Sequence, residues 1–309
     1  MKEYIVDQNG QGDFKTVQQA IDSIGTSGGK ITIKPGKYYE KIHVSTKNIT
    51  LIGEDVNSTI ITYNDHANKI HEDGNNYGTF RSYTMYVSGN NFKAENITFE
   101  NSAGPGSDAG QALAFYGDGN NHSFLNCNFT AYQDTLFAAP LPPKPVIPGA
   151  FDNVPNKSDT QETRESYFES CTITGDVDFI FGGGDLYFKN CTIVSNDLKQ
   201  EVNGYITAAS TPEGQKNGFV FDNCKLVSTA EKATVYLGRP WRNFAKTVFI
   251  NCYMDEHIKP EGWHNWNKPE AEETVLYAEY ASYGPGGDMS KRVPWAKILT
   301  KEEAETFVK

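Results

Sequence analysis

The chain has 309 residues, with 39 acidic against 28 basic side chains and a formal net charge of −11. That balance excludes nucleic acid as a partner, since a polyanion would be repelled. No stretch approaches the roughly 18 consecutive apolar residues of a membrane-spanning helix, so no membrane association is expected. Residues 1–309 are read as one domain growing along a single axis.

The first element after the opening strand is a helix. Thr16-Val17-Gln18-Gln19 has the form of a capping box, and Val17, Ala20, Ile21 and Ile24 make one apolar stripe. The spacing predicts a plug over the N-terminal end of the chain's core, where unpaired strand edges need cover. Short strands are expected next: Lys30 to Ile33, Thr50 to Ile52, Met85 to Val87, Ile180 to Phe181, Gly218 to Phe221 and Thr247 to Ile250. Five of the intervening stretches repeat one phrase, F-x-[NS]-C, ending at Cys127, Cys171, Cys191, Cys224 and Cys252; two earlier versions end in Ile49 and Ile97. A phrase recurring at uneven intervals marks stacked units joined by loops of different length. Its alternation argues strand, and its Asn argues a bend with left-handed backbone. With no long helices between strands, the fold class expected is all-β: a single-stranded right-handed parallel β-helix with an N-terminal capping helix and a C-terminal helix. The latter follows Thr300-Lys301-Glu302-Glu303, a second capping box.

All five cysteines lie in the phrase, as small buried apolar residues. Six prolines break the segment 138–163, which is read as a long loop beside continuing repeats. Seven N-x-[ST] sequons occur; those at Asn48, Asn96 and Asn190 lie inside the phrase, with side chains directed at neighbouring coils, and are read as by-products of an Asn- and Thr-rich stack, suiting a bacterial source. The six histidines show no ligand pairing and no CxxC is present, so no metal is expected. Gly25-Thr26-Ser27-Gly28-Gly29 matches G-x-S-x-G but follows a helix, whereas a nucleophile elbow needs a strand before it.

Two polar segments interrupt the apolar pattern: Tyr132-Gln133-Asp134-Thr135-Leu136 and Gly175-Asp176-Val177-Asp178-Phe179. Asp134 and Asp178 each lie seven residues past the Cys of their own phrase. If the coils stack in register, the two carboxylates sit on one face of strands ~4.8 Å apart. Such a pair divides its proton affinities and can serve as acid and base; either Asp could equally bind a turn. Leu237-Gly238-Arg239-Pro240-Trp241 offers a guanidinium for a carboxylate and a flat ring for a sugar, or an ordinary ion pair beside a packed indole. Gln111, heading an apolar strand one coil earlier, is a ladder amide or an oxyanion donor.

Taken together these segments resemble the pectin methylesterases (pectinesterases). Gly36-Lys37-Tyr38-Tyr39-Glu40 matches G-x-Y-x-E, Gln111 to Phe115 matches QAVAL with conservative changes, and YQDTL, G-x-VDFIFG and LGRPW stand intact. The resemblance implies an enzyme without cofactor that hydrolyses C6 methyl esters of homogalacturonan, with pectin as its partner and a monomeric state. Asp178 would be the nucleophile, Asp134 the general acid and then base, Gln111 and Gln133 the oxyanion donors, and Arg239 the residue that orients Asp178. Trp241 would stack on a sugar, and Thr84, Val177, Phe181 and Tyr205 would line the groove. A disulfide between Cys171 and Cys191 is implied, as is a secreted or cell-surface location with the leader removed. The acidic surface adds an expectation of preference for highly esterified, nearly neutral pectin.

Overall fold

The structure is a computed structural model and describes residues 2–157 and 160–309. Its strands hydrogen-bond in parallel into three sheets of eleven, seven and eight strands, and the chain visits each sheet once per turn. This is a parallel β-helix. The expected strands are present: Met85–Val87 as expected, Phe219–Asp222 shifted by one residue, and Gly29–Ile33, Ile49–Gly53, Val177–Gly182 and Lys246–Ile250 with wider limits.

The repeat phrase explains the stacking. Phe124, Phe168, Phe188, Phe221 and Phe249 occupy one register column. Their rings lie face to face, 4.5–4.7 Å apart, which combines burial with the aromatic spacing that neighbouring strands impose. The Asn that follows sits in left-handed backbone at Asn96, Asn126, Asn190, Asn223 and Asn251, with Ser170 in the same conformation. Asn tolerates that region better than other side chains, and the bend turns the chain from the eleven-stranded sheet into the eight-stranded one. Asn126 Nδ2 donates to Asn96 Oδ1 (2.7 Å) and Asn223 Nδ2 to Asn190 Oδ1 (2.6 Å); Asn91 reaches Asn48 likewise at 2.8 Å. The three phrase sequons therefore spend their amides on the next coil, although Asn48 and Asn190 do so on the exposed outside. Ser158, third member of the Asn156 sequon, lies outside the described residues.

The five cysteines form the next column inward and are buried free thiols. The disulfide expected between Cys171 and Cys191 is not formed. Each thiol donates to backbone carbonyls instead, Cys171 to Glu169 at 3.3 Å and Cys191 to Lys189 at 3.4 Å.

Val17–Ile24 is the predicted helix, burying Val17, Ala20, Ile21 and Ile24 against the first turns. Only half of its capping box forms, Gln19 N to Thr16 Oγ1 at 3.4 Å; the next two N–H groups of the first turn, Val17 and Gln18, donate to the Glu40 carboxylate instead. The C-terminal helix Lys301–Glu305 has the complete box. Its Ala304, with Phe307 beyond, packs on Tyr187, Val220 and Val248, on the outside of the eleven-stranded sheet.

Candidate active site

The seven-stranded sheet carries the site on its outer face. Asp134 lies two residues before the strand Leu136–Ala138, and Asp178 lies in Val177–Gly182. The pairing of Leu136 with Ile180 and the bond from Asp134 N to Val177 O (3.1 Å) put the two aspartates in the same register on consecutive coils, as the equal offset from Cys127 and Cys171 predicts. Both have positive φ, 65° and 54°, and the register shifts between Val177 and Ile180. A local bulge of this kind re-aims a side chain that would otherwise follow the strand alternation, and strained backbone concentrates at functional positions.

Arg239 N bonds to Thr207 O (2.9 Å) just beyond the strand Val235–Gly238. Its guanidinium reaches back across one intervening coil to grip Asp178 with two bonds, Nε to Oδ1 at 2.8 Å and Nη2 to Oδ2 at 2.7 Å. The plane of the guanidinium is held between two aromatic faces, Tyr205 and Trp266, each 3.8 Å from the central carbon. This fixes Arg239 in orientation as well as charge.

The two carboxyls have different electrostatics. Burial pushes Asp134 well above the ordinary carboxylate range, and the neighbouring Asp178 charge pushes it further, with Arg239 opposing. Burial also raises Asp178, but the hydrogen bonds and charge of Arg239 pull it back. The pair thus holds its proton on Asp134 and its charge on Asp178.

Asp176 is a third carboxyl at the site, one that sequence reasoning left without a role. It is 1% exposed; Oδ1 accepts from Val177 N at 2.6 Å and Oδ2 has no hydrogen-bond partner among the described residues. Burial raises its pKa to about 6. A carboxyl raised on folding contributes its full stability below the unfolded pKa and loses it as pH climbs through the folded one. Asp176→Asn is therefore expected to stabilise the protein at pH 7 by roughly 2–3 kcal/mol, with no gain below about pH 4, since the amide keeps the bond to Val177 and removes only the charge. Urea unfolding at both pH values checks this; an equal effect at both would show the charge to be irrelevant.

Gln111 and Gln133 lie side by side on consecutive coils, Ala112 N donating to Gln133 O at 3.1 Å. Gly106 makes room for Gln133, because a Cβ there would stand 2.7 Å from Gln133 Oε1. Both glutamines, both aspartates, Arg239, Trp241 and Phe181 line one cleft of about 530 Å3.

The remaining predicted groove residues need correction. Thr84 is fully buried and its hydroxyl donates to Glu100 O (2.8 Å); Thr79 and Phe80 of the same segment face the cleft instead. Val177 and Tyr205 pair with each other in the sheet. Tyr205 serves Arg239, and neither lines the cleft. The wall is completed by residues absent from the sequence reading: Trp266 and Lys268, which follow the last repeat, and Phe80, Phe151, Val146 and Ile147. Trp241 stacks beside Phe80 with an interplanar angle of 22°. Lys268, lowered to about 8 by burial and then by Arg242, donates to the carbonyls of Pro240 and Trp241, fixing the approach to Trp241. A Trp and a Lys outside any repeated phrase carry no spacing signal, which is why they were missed.

The family model described as "Pectinesterase" matches residues 3–141 and 157–309. Pectinesterase 31 of Arabidopsis thaliana is 36% identical over 98% of this chain and 89% of its own length. The solved pectin methylesterase from carrot superposes with a TM-score of 0.81 at 30% identity, covering 98% of this chain and 90% of that one. A pectin methylesterase solved in complex with a hexasaccharide has a TM-score of 0.80 at 29% identity, over 99% and 95% of the two chains. The expected bacterial source is corrected by the curated relatives, which come from Arabidopsis thaliana, Citrus sinensis and Petunia integrifolia. An Asn- and Thr-rich stack suits the fold rather than any kingdom.

Proposed function

The chain belongs to the pectinesterase family and is an esterase acting on pectin methyl esters, and from that premise we propose how its own residues carry out the hydrolysis. The observation that carries the reading is the pair of adjacent carboxyls in one cleft, one clasped by Arg239 and the other made hard to ionise by burial.

Asp178, kept as the anion by the two guanidinium bonds, attacks the C6 carbonyl carbon of a methylesterified galacturonate. The amides of Gln111 and Gln133 donate to the oxyanion of the tetrahedral intermediate. Asp134 gives its proton to the departing methoxide, so methanol leaves and an Asp178 anhydride remains. Asp134, now a carboxylate, takes a proton from water, and the hydroxide adds to the acyl carbon. Collapse breaks the bond to Asp178, regenerates its carboxylate and frees the galacturonate. A carboxylate is a weak nucleophile, so the sandwich of Tyr205, Arg239 and Trp266 supplies alignment rather than reactivity. Trp241 stacks on a sugar ring beside the reacting one.

The test is to incubate the protein with methylesterified homogalacturonan and follow three products. Methanol with no new reducing ends is expected. New reducing ends would point to glycosidic cleavage by the same two carboxyls, and an unsaturated ultraviolet-absorbing product would point to a lyase; either result without methanol would sink the reading.

A further inference from the structure

Residues 142–156 fall between the two spans that match the family model, so this is where the chain departs from the family's common pattern. The interval supplies Val146, Ile147, Ala150 and Phe151 to the wall of the cleft that holds Asp134 and Asp178. Val146 and Ile147 are 76% and 71% exposed, the most exposed large apolar side chains among the described residues. Adjacent branched aliphatics standing in water at the mouth of a cleft mark a binding surface. The segment is fastened around them. Phe151 sets its edge toward Phe80 (5.6 Å between centroids) and Trp241 (6.3 Å). Arg242 Nη2 donates to Lys144 O at 2.8 Å, and Asn156 Nδ2 to Asp118 Oδ2 at 2.7 Å.

Resting on the reaction assigned above, we infer that residues 142–156 form an apolar wall that recognises methyl-ester groups on the galacturonates flanking the one being hydrolysed. A methyl ester differs from a free carboxylate in two respects that this wall reads. Its CH3 gains from contact with Val146 and Ile147, roughly as any buried methyl does. A carboxylate in its place would lose hydration against side chains that offer it neither charge nor donor. The wall therefore favours runs of esterified units over isolated ones. A protein partner is the less favoured occupant, because the four side chains line the same cleft as Trp241 and the two aspartates.

The experiment compares kcat/KM for methanol release from highly and from sparsely methylesterified homogalacturonan. In the double variant Val146→Ser with Ile147→Ser, the preference for the highly esterified polymer falls about tenfold, mostly through KM, as expected for losing roughly two methyl-sized contacts. The double variant Val146→Leu with Ile147→Leu retains the preference. The inference is overturned if the serine pair leaves the ratio unchanged, or if the leucine pair loses it equally; the wall then serves another occupant. Absence of methanol from both polymers with the unaltered protein would overturn the assigned reaction itself, and the wall's role with it.

Discussion

Asp178→Asn lowers methanol release by at least about 10⁴-fold, the scale on which removal of a covalent nucleophile acts. The amide preserves shape and one acceptor for Arg239 but has no lone pair able to form the anhydride. Far-UV circular dichroism is expected to be unchanged, because Asp178 belongs to a bulge rather than to the ladder of strand bonds. A residual rate within about tenfold of the unaltered protein would remove Asp178 from the nucleophile's role. The companion variant Asp134→Asn is equally inactive in the assay, yet its stability should move differently. Burial and the Asp178 charge raise the Asp134 pKa, so ionising it costs stability as pH rises; a neutral amide escapes that cost and is expected to melt higher above neutral pH.

Arg239→Met has the largest expected effect on the folded state. Methionine keeps the apolar contact between Tyr205 and Trp266 but leaves Asp178 buried without its counter-ion, a loss of about 3–5 kcal/mol when the carboxylate must stay charged. The pH dependence follows from the sign of the shift. Asp178 already sits above its ordinary range through burial, and Arg239 is what draws it down; without Arg239 it rises further. The variant's penalty is therefore small at acid pH, where Asp178 is protonated, and full at neutral pH and above. Its residual activity moves to higher pH, where some Asp178 ionises. Urea unfolding at pH 4 and pH 7 decides the matter: an equal penalty at the two values would mean that Arg239 acts by packing alone.

The fold was legible because its cause is local and repeated. In five coils one phrase supplies a stacked Phe, a left-handed Asn (Ser170 in one) and a buried Cys, so spacing fixes how those turns superpose, and the equal offset from Cys127 and Cys171 placed Asp134 beside Asp178. The stripe Val17, Ala20, Ile21 and Ile24 was legible for the same reason, being one face of a regular helix. What could not be read came from loops that follow no period. Trp266 and Lys268 reach the cleft from an irregular stretch after the repeats, and Val146, Ile147 and Phe151 from the inserted segment. Thr84 was misplaced because it is the tertiary contact with Glu100 O, sixteen residues away, that takes its hydroxyl, and no local spacing records that contact. Asp176 went without a role because its distinction, a buried oxygen with no partner among the described residues, is a property of surroundings rather than of sequence.

The grip of Arg239 on Asp178 joins the first and third of three consecutive turns, with Tyr205 of the middle turn wedged against it. A solenoid whose rungs look alike is prone to slip by a rung or a residue during assembly. Only a chain whose three turns have settled without slippage can close that clasp, so under the proposed mechanism methanol release doubles as a proofreading signal: each molecule that turns over has its central turns correctly threaded.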